Sequence, residues 1–228
     1  MVAPSLARCP LPLPRRGLAR LAGFDTWARQ EFGHARLGDA RRTARAVALA
    51  ARLAQRPAAA VTRVFAGRPA ERQAAYEFLD NDAVSAGALR ESVARATARR
   101  ARGAALVFVP VDGTSLRLGD DDAHNDFGPI GPRSKPGRGV HLMNALAVAP
   151  DGVPLGLCAQ VAWVRKAPPS RSHKARATGA KETKYWGQAL AQAAHAFAEE
   201  APGVVPWFQL DRGGDAWPVL LEAAERAP

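Results

Sequence analysis

Residues 106–111 read Leu-Val-Phe-Val-Pro-Val and run without a charge into Asp112. A short apolar run rich in β-branched residues is typical of a buried strand. The sequence therefore predicts a strand that ends at Asp112 and is followed by a turn at Gly113. A carboxylate in that place must be solvated, paired or coordinated, because burying a bare charge is costly. The alternative is an aspartate that only caps an ordinary turn.

A second apolar run, residues 203–210, ends at Asp211. The intervening sequence predicts a hairpin and then a helix over residues 181–200. A right-handed crossover through that helix would place the second strand beside the first and parallel to it. We therefore expect Asp112 and Asp211 at one edge of one sheet, within reach of shared divalent ions. Asp215 is a weaker ligand candidate.

The first hundred residues instead show helical periodicity and capping signals. The predicted helices cover residues 24–37, 40–55, 63–65, 70–79 and 85–100, with Asp39 and Ser85 as N-caps. The predicted core residues of these helices include Trp27, Tyr76, Phe78 and Leu79. The expected fold class is thus α/β, with an all-helical module preceding a mixed sheet with helices.

The formal net charge of +11 is held mainly by the first hundred residues, and a second basic tract covers residues 133–184. Basic tracts are the electrostatic footprint of a phosphate backbone. Codon bias could explain abundant arginine, but it would not explain why acids are missing from the same tracts. Arg41, Arg42 and Arg45 are the predicted phosphate contacts, and the alternative is an arginine face that is only solvated. Trp163 is most simply a packing residue, with stacking on a flipped base as the alternative.

The sequence does not support a membrane-spanning, secreted or disulfide-rich protein. The most apolar stretch, residues 139–164, is broken by turn residues, so no membrane span is expected. Residues 1–22 lack the apolar segment of a signal peptide and predict a disordered basic tail. Cys9 and Cys158 are too isolated for a disulfide framework or a metal knuckle. A cytoplasmic, nucleoid-associated protein is the expectation.

Several motifs, in order, resemble those of the Tn5-type (IS4 family) DDE transposases. They are Leu-Gly-Asp-Ala-Arg (37–41), Ala-Tyr-Glu-Phe-Leu-Asp-Asn (75–81), Asp-Gly-Thr-Ser (112–115), Lys-Glu-Thr followed by Trp186 (181–186), and Asp-Arg-Gly-Gly-Asp (211–215). The resemblance implies three regions. These are a basic tail (1–22), a helical DNA-binding domain (23–102) and an incomplete ribonuclease H-like domain (103–228).

The resemblance also implies roles. Asp112 and Asp211 match the first two catalytic carboxylates, which hold Mg²⁺ or Mn²⁺, and Lys181 and Arg212 join the expected DNA contacts. The implied partner is double-stranded DNA at transposon ends, bound by a homodimer in a synaptic complex.

The chain departs from the family at the third carboxylate. The family places a glutamate in a Tyr-x-x-Arg-x-x-x-Glu signature, and neither Tyr76 nor Tyr185 begins that pattern. We therefore expect a truncated, frameshifted or split transposase that carries two of three catalytic carboxylates. One alternative is a DNA-binding fragment without chemistry, which could inhibit a full-length relative. Another is a stand-alone ribonuclease H-like nuclease.

Overall fold

The computed structural model describes residues 21–119, 125–131, 137–166 and 181–225. Five helices come first, and a five-stranded mixed sheet with two further helices follows. The predicted mixture of helices and sheet is confirmed, while the ribonuclease H-like assignment of the sheet stays a prediction. Residues 1–20 of the predicted basic tail, and residues 133–136 and 167–180 of the second basic tract, lie outside the described residues. Within the described residues, no helix is long and apolar enough to cross a membrane.

The helical region begins and ends its helices largely where capping chemistry predicts. The helices are α1 (Leu21–Phe32), α2 (Ala40–Ala54), α3 (Val61–Val64), α4 (Pro69–Leu79) and α5 (Ala86–Arg100). Asp39 Oδ1 accepts a hydrogen bond from the Arg41 amide at 2.7 Å, and Ser85 Oγ accepts one from the Ala88 amide at 3.2 Å. Both predicted N-caps are confirmed because each satisfies an orphan amide of its first turn.

The first helix is shorter than predicted and ends at Phe32. Thr43 Oγ1 donates to the Ala35 carbonyl at 2.9 Å, and Arg42 Nη1 donates to the Leu37 carbonyl at 3.0 Å. Side chains of α2 thus satisfy carbonyls that would otherwise need helical partners. The segment between α1 and α2 is therefore stable without being helical.

Three residues predicted in the helical core are exposed instead. Trp27, Tyr76 and Leu79 are 40%, 38% and 57% exposed. The inward face of α4 is set by Ala75 and Phe78, so residues one position further along point about 100° away. The same rotation applies on α1, where the fully buried Ala28 follows Trp27. The helical core consists of Ala35, Leu37, Ala46, Leu49, Phe65, Ala75 and Phe78.

The sheet is organised around its third strand. The strands are β1 (Leu106–Arg117), β2 (Gly128–Ile130), β3 (Gly137–Val148), β4 (Pro154–Trp163) and β5 (Val205–Leu210), with helices α6 (Lys184–Glu200) and α7 (Trp217–Glu225). One edge of β3 pairs antiparallel with β1, and its other edge pairs with β2 and then β4. β5 lies outside β1 and parallel to it, as predicted, and the β3–β4 hairpin is confirmed.

The first strand runs past the residue at which it was predicted to end. Asp112 pairs with Asn144, Gly113 pairs with Met143, and the ladder continues to Arg117. The prediction of a turn at Gly113 was wrong because β3 is long enough to pair with β1 through Arg117. The pairing of β1 with β5 does stop at Val111. Asp112 therefore lies where β1 loses one of its two neighbours.

The main core lies between one face of the sheet and two helices. Val107, Val109 and Val111 point into it from β1. The predicted core stripe of α6 is confirmed, since Trp186, Leu190 and Phe197 are all buried. Helix α5 contributes to both cores. Ala88 and Leu89 pack against the helical core, whereas Ala94 and Ala98 belong to the sheet core. The predicted domain boundary at residue 102 stays a prediction.

The contact between α5 and β4 depends on a glycine. Gly156 has φ +135°, and a methyl group there would lie 2.6 Å from Thr97 Oγ1 and 2.7 Å from Arg100 Nη2. We expect Gly156→Ala to lower the free energy of unfolding by about 2–4 kcal/mol, through backbone strain and steric overlap. Gly152→Ala is the matched control. Gly152 also has a positive φ, but a methyl group there meets nothing within 4 Å. Its cost should be about 1–2 kcal/mol. Equal losses in urea unfolding would show that packing against α5 contributes nothing.

Candidate carboxylate edge and nucleic-acid surface

The two predicted carboxylates lie at the same edge of the sheet. Asp112 follows Val111, Asp211 follows Leu210, and Val111 and Leu210 are register partners on adjacent parallel strands. Neighbouring strands are about 4.8 Å apart. The prediction that the two strands leading to these residues are adjacent and parallel is therefore confirmed, whereas the shared ion site and the catalytic role of the two aspartates stay predictions.

Only Asp112 has its direction set by a strand. The rings of Phe108 and Trp207, each four residues before an aspartate, are in contact, with centroids 5.8 Å apart. Side chains two or four apart on a strand point the same way, so Asp112 shares the face of Phe108 on β1. Asp211 lies one residue beyond the end of β5.

The donor set fits a hydrated hard cation. Asp112 Oδ1 accepts the Gly113 amide at 2.7 Å, and Asp211 Oδ1 accepts the Gly213 amide at 2.7 Å. Both residues are exposed, and the Oδ2 atom of each has no hydrogen-bond partner in the described chain. Mg²⁺ commonly uses one or two carboxylates and completes its octahedron with water and phosphate oxygens. No group of three or more His, Cys, Asp or Glu side chains suited to a metal occurs among the described residues, so Asp215 does not complete such a set.

A salt bridge fixes the start of α6 near this edge. Arg165 Nε and Nη2 each donate to the Glu182 carboxylate at 2.5 Å, and Trp163 Nε1 donates to it at 3.5 Å. The hydrogen bond from Arg165 holds the pKa of Glu182 below its usual value, and Glu182 raises the pKa of Arg165. This pair was not predicted. The only sequence signal was the position of Glu182 in the Lys-Glu-Thr motif. An ionised, paired Glu182 serves as an anchor and not as a free base.

The pH dependence of stability should report this pair. Because the folded pKa of Glu182 is lowered, the pair stabilises the fold above the ordinary glutamate pKa of 4.5. That contribution is lost as the pH falls through the folded pKa. The two side chains are 41% and 39% exposed, so solvent screening limits the effect to about 1 kcal/mol or less. Urea unfolding of wild type and Glu182→Gln should differ at pH 7 and converge in acid. A difference that persists in acid would contradict this origin.

Trp163 packs against two other rings. The centroid of the His141 ring lies 5.3 Å from it and that of the Tyr185 ring lies 4.1 Å from it, both in stacked orientation. His141 Nδ1 lies 3.0 Å from Ser115 Oγ, which connects these rings to β1. Trp163 is partly buried against the sheet core, so the packing interpretation is confirmed, while stacking on a flipped base stays an untested alternative.

Cys158 has no reactive character in this fold. Its thiol is buried in the sheet core and lies 3.4 Å from the Ala145 carbonyl. Burial raises the pKa of Cys158 to about 12, so the thiol stays protonated at neutral pH. A nucleophilic role for this residue is therefore excluded.

The predicted phosphate contacts on α2 are not equivalent. Arg41 is 94% exposed and its only partner in the described chain is Asp39, at 3.7 Å. Arg45 is exposed and makes no ion pair or hydrogen bond with the described residues. Arg42 is half-buried and donates to the Leu37 carbonyl. The guanidinium groups of Arg41 and Arg45 are therefore exposed on one side of α2, and Arg41 has only the long contact with Asp39.

Small residues lie next to these arginines on α2. Ala44 and Ala48 are exposed on α2, and a groove opens on each side of the helix, with volumes of about 430 and 530 Å³. Both grooves are lined by Ala48 and by Asp25 from α1. A helix face with small side chains at its centre and arginines beside them can approach another surface closely.

Several arginines in and just after α5 form salt bridges within the protein. Arg95 pairs with Glu199, and Arg99 Nη1 and Arg102 Nη2 each contact Glu200 at 3.1 Å. A charge count along the sequence cannot distinguish these residues from free ones, because their partners lie about a hundred positions away. The basic surface is therefore narrower than the composition indicates.

Arg212 lies beside the carboxylate edge, exposed in the turn directly after Asp211, and Lys181 lies just before α6 and next to Glu182. Neither side chain has an ion-pair partner among the residues that the structure describes. The contacts of Lys181 and Arg212 with DNA stay predictions.

The helical region matches a known protein family. Residues 25–84 match the family model for the transposase DNA-binding domain. The match covers most of α1, all of α2, α3 and α4, and stops just before the Ser85 cap of α5. It therefore supports a DNA-binding function of the transposase kind for the region that carries Arg41 and Arg45.

Proposed function

We propose that this chain is a portion of a Tn5-like (IS4 family) DDE transposase whose helical region binds double-stranded DNA at transposon ends. The observation that carries the proposal is the exposed Arg41–Arg45 face of α2, inside the region that matches the transposase DNA-binding domain. The exposed guanidinium groups supply phosphate contacts, and Ala44 and Ala48 let the helix approach the duplex.

The sheet domain is proposed to be ribonuclease H-like and to contribute the first two catalytic carboxylates. Support comes from the strand order β4-β3-β1-β5, with β5 parallel to β1, and from Asp112 and Asp211 at one edge. Two divalent ions bound there would supply the chemistry of phosphoryl transfer, one by activating the attacking oxygen and the other by stabilising the leaving one. Asp112 and Asp211 would hold these ions, while Lys181 and Arg212 would neutralise the charge of the approaching phosphate. The resemblance implies that two copies act together on paired DNA ends.

Binding of duplex DNA tests the first part. The full chain is incubated with a randomised duplex library, and bound sequences are selected, sequenced and used for affinity measurements by fluorescence anisotropy. We expect enrichment of a defined sequence and a logarithm of affinity that falls linearly with the logarithm of salt concentration. Binding that is insensitive to salt, or no enrichment, would exclude the proposed recognition of DNA ends.

A catalytically inactive DNA-binding fragment is the second candidate function, favoured because only two of the three family carboxylates have counterparts in this sequence. Relaxation of supercoiled plasmid with Mg²⁺ or Mn²⁺ separates the candidates, with Asp112→Asn as the control. We expect no nicking by this chain alone. Nicking that disappears in Asp112→Asn would support a complete nuclease instead.

A further inference from the structure

We infer that Trp186 positions the carboxylate of Asp211 by packing against the Gly213–Gly214 turn. This inference rests on the proposed metal-binding role of Asp211. It assigns a function to a tryptophan of α6 and to a pair of glycines that the proposed chemistry does not use directly.

The two aspartates differ in how their backbone is held. Asp112 lies within β1 and has a register partner, Asn144, on β3. Asp211 follows the last residue of β5 and has no strand partner. Its direction therefore has to be set by the turn that follows it.

That turn folds back on Asp211. The Gly213 amide donates to Asp211 Oδ1 at 2.7 Å, and the Gly214 amide donates to the Asp211 carbonyl at 3.0 Å. This is the hydrogen bonding of an Asx-turn, in which the side chain takes the place of a backbone carbonyl. It holds Oδ1 and leaves Oδ2 for a ligand.

The indole of Trp186 packs against the Gly213–Gly214 turn. A methyl group on Gly213 would lie 3.1 Å from Trp186 Cζ2, and one on Gly214 would lie 3.1 Å from Trp186 Cε3. Both atoms belong to the six-membered ring of the indole, so the two glycines approach the same ring. The methyl group on Gly213 would also lie 2.9 Å from Asp211 Oδ1. A side chain at either position would crowd the indole, and one at position 213 would also displace Asp211 Oδ1 from the Gly213 amide.

The indole is itself held in place. Trp186 is 7% exposed and belongs to the sheet core. It lies in the first turn of α6, whose start is fixed by the Arg165–Glu182 pair and by the stacking of Tyr185 on Trp163. A rigid indole under a tight turn gives Asp211 one orientation, and supporting contacts of this kind govern metal affinity.

The test measures binding of Mn²⁺ alone to the full chain by electron paramagnetic resonance. We expect Gly213→Ala to weaken binding about 10-fold or more. Gly119→Ala is the matched control, since Gly119 is exposed and a methyl group there meets nothing within 4 Å. It should bind Mn²⁺ as wild type does. Unchanged affinity in Gly213→Ala, with a normal circular dichroism spectrum, would overturn the inference.

A metal-free measurement keeps the inference separate from the proposed function. The amide proton of Gly213 should resonate downfield in NMR spectra because of its bond to Asp211. Trp186→Leu should move it toward its position in Asp211→Asn, while Trp186→Phe, which keeps a six-membered ring, should largely restore it. If wild type binds no Mn²⁺, the metal role fails and this shift still decides whether Trp186 orients the turn. An unmoved resonance in Trp186→Leu would contradict the positioning role.

Discussion

Replacing Arg41 and Arg45 together by alanine is expected to weaken binding to the selected duplex about 30-fold near 0.15 M salt. Each lost phosphate contact removes about 0.9 from the slope of log affinity against log salt, so each is worth roughly fivefold at that concentration. The double variant should therefore also lower the magnitude of the slope by about 2. Fluorescence anisotropy over a series of salt concentrations measures both quantities.

The substitution should not disturb the helix that it probes. The capping bond at Asp39 comes from the backbone amide of Arg41, so an alanine at that position retains it. Exposed substitutions of this kind usually change stability by less than about 0.5 kcal/mol. The matched control is Arg41→Lys with Arg45→Lys, which keeps both charges and most of the slope. A slope that stays at the wild-type value in the alanine variant would show that the phosphate contacts lie elsewhere.

Replacing Arg100 by methionine should produce a large loss of stability, about 3–5 kcal/mol. Glu31 is only 3% exposed, and Arg100 Nη1 is its ion-pair partner at 2.5 Å. Methionine keeps part of the aliphatic packing but leaves the Glu31 carboxylate buried without a counter-charge. It also removes the bond from Arg100 Nε to the Leu155 carbonyl, 2.7 Å long. Urea unfolding followed by circular dichroism measures the loss.

A double-mutant cycle separates the charge from the packing. Glu31→Gln together with Arg100→Met has no buried charge and should recover part of the stability lost in Arg100→Met alone. If the double variant is as unstable as the sum of the single variants, the ion pair is not the cause. The cycle also tests the link between the helical region and the sheet, because Glu31 lies on α1 and Leu155 on β4.

Short-range features of this chain could be predicted from its sequence. The N-caps at Asp39 and Ser85, the hairpin and the buried face of α6 were all confirmed. Capping and periodicity depend on residues two to four positions apart, so the sequence contains everything they need. The shared edge of Asp112 and Asp211 could also be predicted, since it needs only a strand, a helical crossover and a parallel strand.

The tertiary structure decided which face of each helix is buried and which strands pair. Tyr76 and Leu79 have large side chains of a kind that is often buried. The side of α4 that faces the core is nevertheless the one that carries Ala75 and Phe78. The strand at Asp112 continued because β3 offered it a partner. Each outcome depends on contacts with an element that is distant in the sequence, so a local sequence pattern cannot predict it.

The charged residues show most clearly which features the sequence determines and which the fold determines. The sequence determined that the chain is basic and where its arginines fall along each helix. Only the fold decided that Arg100 neutralises a buried glutamate while Arg41 and Arg45 stay exposed on α2. In the same way, the pair of glycines after Asp211 was visible in the sequence, but its packing against Trp186 was not. Long-range electrostatic pairing and side-chain packing are properties of three-dimensional proximity, which the order of residues alone does not specify.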